Sequence, residues 1–190
     1  MASKVEIANM ALSRLGADRI ISFSDGTRSA KEINARYELV AEFTMSMGGW
    51  PSCVKRASLA QLSDTPTYGF DYAYQLPTDP RCLKVLAINE DRLGDIIYSI
   101  EDGKLLCDET SVDILYIAYI TDSGAYDTYL TQAIIEMLVI ELAYVFTGQV
   151  DVAEKIKVSS QKKIDDLLTH ASAQGSSFDL PSDTFIDVRK

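Results

Sequence analysis

The run from Asp127 to Gly148, DTYLTQAIIEMLVIELAYVFTG, limits the fold of this chain more than any other stretch. It is the longest and most apolar segment and is predicted to form one central buried helix. Asp127 is the expected N-cap, its carboxylate accepting an orphan amide of the first turn. Gly148 suits the left-handed position just past the helix end. A helix of roughly 20 residues spans ~30 Å. Leu130, Ala133, Ile134, Met137, Leu138, Ile140, Leu142, Val145 and Phe146 cover more than one face. That pattern demands packing on most sides, not a single buried stripe. A transmembrane reading fails, because Gln132, Glu136 and Glu141 interrupt the run before it reaches about 18 apolar residues. Glu136 and Glu141 point in different directions on a helix. Each is expected to meet solvent or a basic partner at the helix edge, not to share a catalytic site.

A single helix cannot bury all of its own faces, so others must surround it. Ser3-Lys-Val-Glu6 is a capping box opening a first helix, with Val5, Ala8, Leu12 and Leu15 on one face and Gly16 as the stop. Residues 17–27 form a connector in which Ile20, Ile21 and Phe23 are expected to tuck under the helices. A second capping box, Ser29-Ala-Lys-Glu32, predicts a helix with Ile33, Tyr37, Val40, Phe43 and Met47 inward, ended by Gly48-Gly49. These two helices pair as a hairpin. After Gly148, Asp151-Val-Ala-Glu154 predicts a third capping box. A last helix runs to about Ala173, with Ala153, Ile156, Ile164, Leu167, Leu168 and Ala171 inward.

Between Trp50 and about Tyr119 the period changes to that of strands. Trp50-Pro51 cannot continue a helix. Candidate strands lie in residues 54–62, 71–76, 81–89, 96–100, 104–107 and 111–120. Glu101-Asp-Gly103 is the clearest hairpin signal. The last strand is expected to be the longest and central, apolar on both faces. Short connections imply an antiparallel meander. The architecture is therefore expected to be α+β: a four-helix bundle from residues 1–49 and 122–173, an inserted antiparallel β-domain at 50–121, and an extended arm at 174–190. The arm lacks any period yet carries Phe178, Leu180, Phe185, Ile186 and Val188. A solvated tail rarely keeps so many large apolar groups, so the arm is expected to dock on a neighbour.

Few chemistries fit these residues. The chain carries a net charge of −10, and residues 50–125 alone hold 6 basic and 12 acidic groups, which disfavours a phosphate-gripping surface. Cys53, Cys82 and Cys107 are widely spaced and the single histidine is His170, so a zinc site is not expected and free thiols are. The N-terminal residues Lys4, Glu6 and Arg14 break any signal-peptide core. There is no phosphate-loop, dinucleotide or nucleophile-elbow motif. His170 sits among Asp165, Asp166 and Thr169 at a polar helix end, where a solvated imidazole is the ordinary outcome. Asn89-Glu-Asp91 and Asp108-Glu109 lack calcium-loop spacing. Tyr68, Phe70, Tyr72 and Tyr74 fit sheet packing and interface contacts better than base stacking in such acidic surroundings. Trp50 belongs in a core or interface at the junction of helices and strands. No cofactor is expected.

The order of elements resembles the head-to-tail adaptors of tailed phages, of the tail tubular protein A type found in short-tailed phages. The likeness rests on Asn9-Met-Ala-Leu12 and Leu15-Gly16, Ala35-Arg36-Tyr37, Gly49-Trp50, Leu59-Ala60, and Tyr72-Ala-Tyr74-Gln-Leu76-Pro77. It continues through Leu83-Lys-Val85-Leu86, Tyr116-Ile117 before Asp122, and Leu142-Ala143 to Thr147-Gly148, covering residues 3 to about 172. The resemblance implies a structural virion protein of the neck or tail, made in the host bacterial cytoplasm, and not an enzyme. It implies a ring, typically of twelve copies, between the portal protein and the tail nozzle protein, through which DNA passes without specific binding. No catalytic residues, metal or membrane are implied. The expected interface residues are Trp50, Tyr72, Tyr74, Phe178, Leu180, Phe185 and Ile186. The alternatives are a head-completion or tail-terminator protein of a long-tailed phage and a small cytoplasmic enzyme using the acidic loops.

Overall fold

The computed structural model describes residues 2–89 and 95–173. It is α+β, with four helices and two three-stranded antiparallel sheets. Helix α1 spans Lys4–Arg14, α2 Arg28–Ser46, α3 Thr128–Thr147 and α4 Val150–Ser172. All six strands lie between α2 and α3 in the chain: β1 Val54–Ser58, β2 Tyr72–Gln75, β3 Cys82–Ile88, β4 Tyr98–Glu101, β5 Lys104–Cys107 and β6 Asp113–Ala118.

Helix α3 is the hub. Asp127 Oδ1 accepts the Leu130 amide at 2.8 Å, and Gly148 closes the helix in the left-handed conformation at φ 64°. Leu130, Ile134, Leu138 and Leu142 are fully buried, against α1, α2 and α4. The helix has the length and composition of a membrane span, but the three partner helices bury the greater part of its apolar surface. In α1 the capping box forms as expected: Ser3 and Glu6 satisfy one another's amides. Asn9 stitches the connector to α1, donating to the Ile20 carbonyl and accepting the Ile20 amide, both at 2.8 Å. Ile20 is buried, and Phe23 meets Tyr37 edge-on at 5.2 Å. Ile21, expected underneath as well, points outward and is almost fully exposed.

Two helix starts differ from the sequence expectation. Helix α2 begins two residues early, because Thr27 Oγ1 accepts the Ala30 amide and so leaves Ser29 inside the first turn, buried. Helix α4 has no side-chain cap. It begins at Val150, with Gln149 as the only residue between it and the left-handed Gly148, which places Asp151 in the first turn, where its charge favours the helix dipole. The inward face of α2 also differs. Ile33, Tyr37 and Val40 are buried as expected, but Ala41, Thr44 and Met45 complete the face, and Phe43 is turned out. Thr44 is tolerated inside because its hydroxyl donates to the Val40 carbonyl at 2.7 Å.

The strands are antiparallel but do not form a meander. One sheet has the order β1-β6-β3 and the other β2-β5-β4. Among the described residues, only β4 and β5 are joined as a hairpin of consecutive strands, across Asp102 and Gly103, both at positive φ. The first and last strands pair with each other, Val54 opposite Ile117 through Ser58 opposite Asp113. Strand β6 is central as expected, but β3, with seven residues, is longer. Tyr74, Leu105, Cys107, Val112, Ile114 and Tyr116 form a second apolar cluster among the strands. Ile117 belongs instead to the helical core, so β6 contributes to both clusters.

The crossings from helix to strand and back are fixed to each other. Asp127 Oδ2 accepts the Ser52 hydroxyl at 2.7 Å and the Ser52 amide at 3.2 Å. The residue that caps α3 therefore also holds the segment leading into β1.

Candidate interaction surface

Of the residues expected at an interface, the structure places several inside. Trp50 is fully buried in the helical core, and its indole Nε1 donates to the Thr44 carbonyl at 2.7 Å. An indole in an apolar core needs one acceptor, and the end of α2 supplies it. Tyr74 is buried in the strand cluster, with its hydroxyl donating to the Glu109 carbonyl at 2.6 Å. Of the core and interface settings expected for both, each side chain takes the core one within this chain. Tyr72 is half-buried against the same cluster. Phe178, Leu180, Phe185 and Ile186 lie outside the described residues.

The groups weighed for chemistry are dispersed. Among the described residues no three His, Cys, Asp or Glu side chains gather in a way that holds a metal. His170 is exposed and stacks on Tyr129 at 6.5 Å between ring centres. Cys53 and Cys107 are buried free thiols and Cys82 is a half-buried one. Burial pushes the Cys53 thiol up to about 11, away from thiolate chemistry.

The two central glutamates have separate fates. Glu141 is exposed, whereas Glu136, expected at the helix edge, is buried at 3% exposure. Glu136 Oε1 pairs with Arg14 of α1, and with Lys163 Nζ of α4 at 3.2 Å. Glu136 Oε2 has no hydrogen-bond partner. Basic partners were expected and are present. The burial arises because α1 and α4 close over this turn of α3, and a buried charge is tolerated only when paired. The cluster fastens three helices together.

A second polar network joins helices to strands. Glu38 of α2 receives Lys4 Nζ at 2.6 Å and the Tyr119 hydroxyl at 2.7 Å. Burial raises the Glu38 carboxyl, but these two donors outweigh it, so its pKa lies below the ordinary 4.5. Burial, with Glu38 alongside, pushes the Tyr119 phenol up to about 12. Arg81 pairs with Glu42 at 2.7 Å and stacks over Tyr119 at 5.2 Å.

Among the described residues, one surface feature that packing leaves unexplained is an apolar face on α2, α3 and the start of α4. Leu39 is 72% exposed, Phe43 57%, Tyr144 60% and Val150 63%. Two shallow grooves run beside these groups. One lies between α2 and α3, walled by Leu39, Phe43, Met137 and Glu141. The other lies between α3 and α4, walled by Ile140, Glu141, Tyr144 and Val150. Glu141 borders both grooves, and Arg36, Glu154 and Lys157 line their edges. Sequence reasoning missed it because Phe43 fits the inward period of α2, and only the position of α3 shows which side is covered. Neither a protein-family profile nor a characterised protein matches this chain.

Proposed function

We propose that the protein is a structural head-to-tail adaptor of a phage virion, assembling as a ring between portal and tail nozzle. In this reading the four helices form a bundle about α3. Residues 50–121 are a β-domain inserted between its two hairpins. The observation that carries the proposal is the uncovered apolar face of Leu39, Phe43, Tyr144 and Val150. Large apolar groups gathered on one face mark a surface that associates. A ring is built from heterologous contacts, in which such a face meets a different patch on the next copy. The ordered motifs from Asn9-Met-Ala-Leu12 to Thr147-Gly148 supply the likeness to adaptors of short-tailed phages. The acidic balance of −10 suits a channel through which DNA moves, because carboxylates repel phosphate.

Native mass spectrometry of the chain, alone and mixed with a portal ring, tests this. A stoichiometric ring on the portal is expected. A chain that remains monomeric and binds no portal overturns the reading. Portal is essential to the experiment, because an adaptor that assembles only on its template is monomeric without it.

A further inference from the structure

The edges of the two sheets are not equally defended. Past β1 the chain runs on beside β2, where the Leu62 amide donates to the Ala73 carbonyl at 2.8 Å and the Gln75 amide to the Ala60 carbonyl at 3.3 Å. That segment closes the outer side of β2. Strand β1 carries the exposed Lys55 and Arg56, and β3 carries the exposed Lys84 and is broken by two register shifts. Edge charges and irregularities of this kind discourage a further strand. Strand β4 has neither a lysine nor a break. Its register against β5 is regular, from Tyr98 opposite Cys107 to Glu101 opposite Lys104.

The phase of that ladder decides what the edge offers. The turn at Asp102 and Gly103 makes Glu101 and Lys104 the closing hydrogen-bonded pair, and Ser99 and Leu106 form the next. The Leu76 amide, donating to the Gly103 carbonyl at 3.3 Å, fixes the same phase from the β2 side. The amides and carbonyls of Tyr98 and Ile100 therefore point away from β5, and among the described residues nothing meets them. Their side chains share the face of Leu105 and Cys107, which are fully buried, yet Ile100 is 47% exposed and Tyr98 38%. The apolar layer stops at this edge, with a row of unmet backbone groups beside it.

Charge selects the occupant. Asp95, Glu101, Asp102 and Asp108 are exposed around the edge and enter no ion pair among the described residues. Strand β4 itself has no basic residue. We propose that β4 receives, as an added strand, an extended segment of another protein in which apolar residues alternate with basic ones. Successive side chains of a strand face opposite ways. The apolar set then continues the layer past Tyr98 and Ile100, and the basic set lies on the other face, beside Glu101. Backbone bonds hold such a segment and the alternate side chains select it. A second copy of this chain is the poorer occupant, because it brings the same acids to the same short edge. The proposal does not rest on the adaptor reading.

The test is amide-resolved hydrogen exchange by NMR on the full chain, with a synthetic peptide of alternating valine and lysine as the probe. Saturating peptide is expected to slow exchange at Tyr98 and Ile100 on the order of ten-fold, because both amides gain an acceptor. Ser99 and Glu101, already bonded to β5, should not change. Ile100→Pro removes one outward amide and keeps every acid and the β4–β5 bonds, and is expected to weaken peptide binding on the order of ten-fold. Ile100→Lys is expected to do the same by placing a like charge against the peptide. A peptide of alternating valine and glutamate is expected not to bind. Unchanged exchange at Tyr98 and Ile100 overturns the proposal. So does equal binding to wild type and Ile100→Pro, which reduces the attraction to charge alone, and so does equal binding of the glutamate peptide. Protection of the two amides that grows with protein concentration in the absence of peptide also overturns it, by assigning the edge to a second copy.

Discussion

The helical and strand halves bury their apolar groups in different ways. The helices share one continuous core around α3, with every partner helix touching the same hub. The strands divide into two small sheets whose cluster rests on a few fully buried groups, chiefly Leu105, Cys107 and Tyr74. A hub tolerates an uncovered outer face because its stability comes from within. Small sheets with strands of four to seven residues depend on each central side chain. Exposed large apolar groups occur in both halves, Leu39, Phe43, Tyr144 and Val150 on the helices and Tyr68, Ile97 and Ile100 in the strand region, but those on the helices sit over a core that a partner can cover without unfolding anything.

Three measurements bear on this contrast. The largest effect is expected from Trp50→Ala. It opens a cavity in the helical core and removes the donor to the Thr44 carbonyl, at a cost of ~3–5 kcal/mol in chemical denaturation. Trp50 lies at the start of the strand-rich stretch, so a loss confined to the strands would break the assignment of this residue to the helical hub. Leu105→Ala is expected to cost ~2–4 kcal/mol and to act locally. Hydrogen exchange should accelerate in β2, β4 and β5 more than in α3. Equal acceleration everywhere would show that the two halves unfold as one unit.

The smallest effect concerns the joint between the halves. Glu38 has a folded pKa below its ordinary value, so its contribution is present above pH 4.5 and is lost as pH falls through the lowered folded value. Tyr119 has a raised pKa, so its contribution is present below pH 10 and is lost as pH rises through about 12. Denaturation midpoints across pH should therefore drop at both ends. Glu38→Gln should flatten the acid side in particular. An acid limb as steep as in the wild type would remove Glu38 from the joint.

The helices were legible because their signals are local. Ser3 and Asp127 cap as their sequence positions indicate, and Gly148 stops α3. The strand segments were legible too, and the hairpin at Asp102-Gly103 formed where turn chemistry required it. The order of the strands was not. The pairing of β1 with β6 joins residues about 60 positions apart, and no local period encodes it. The same limit applies to the surface. Trp50 and Tyr74 have the residue types of interface anchors, but tertiary packing had already found each a carbonyl and a core. Phe43 has the period of a core residue, but its side of α2 is left open.

The hydrogen bonds between Ser52 and Asp127 have a consequence for how such a chain can diverge. They bring the departure point and the return point of the whole strand excursion to one place. The helices meet the excursion again at Arg81, Leu83, Ile117 and Tyr119, and away from those points they do not register how far it travelled. Each doubling of such a loop adds only about 0.6 kcal/mol of closure entropy. Strands can be lengthened, or a hairpin added at β4–β5, while the helices keep their sequence and packing. Along this lineage, substitutions are expected to be conservative on either side of the clamp and insertions to accumulate between its ends.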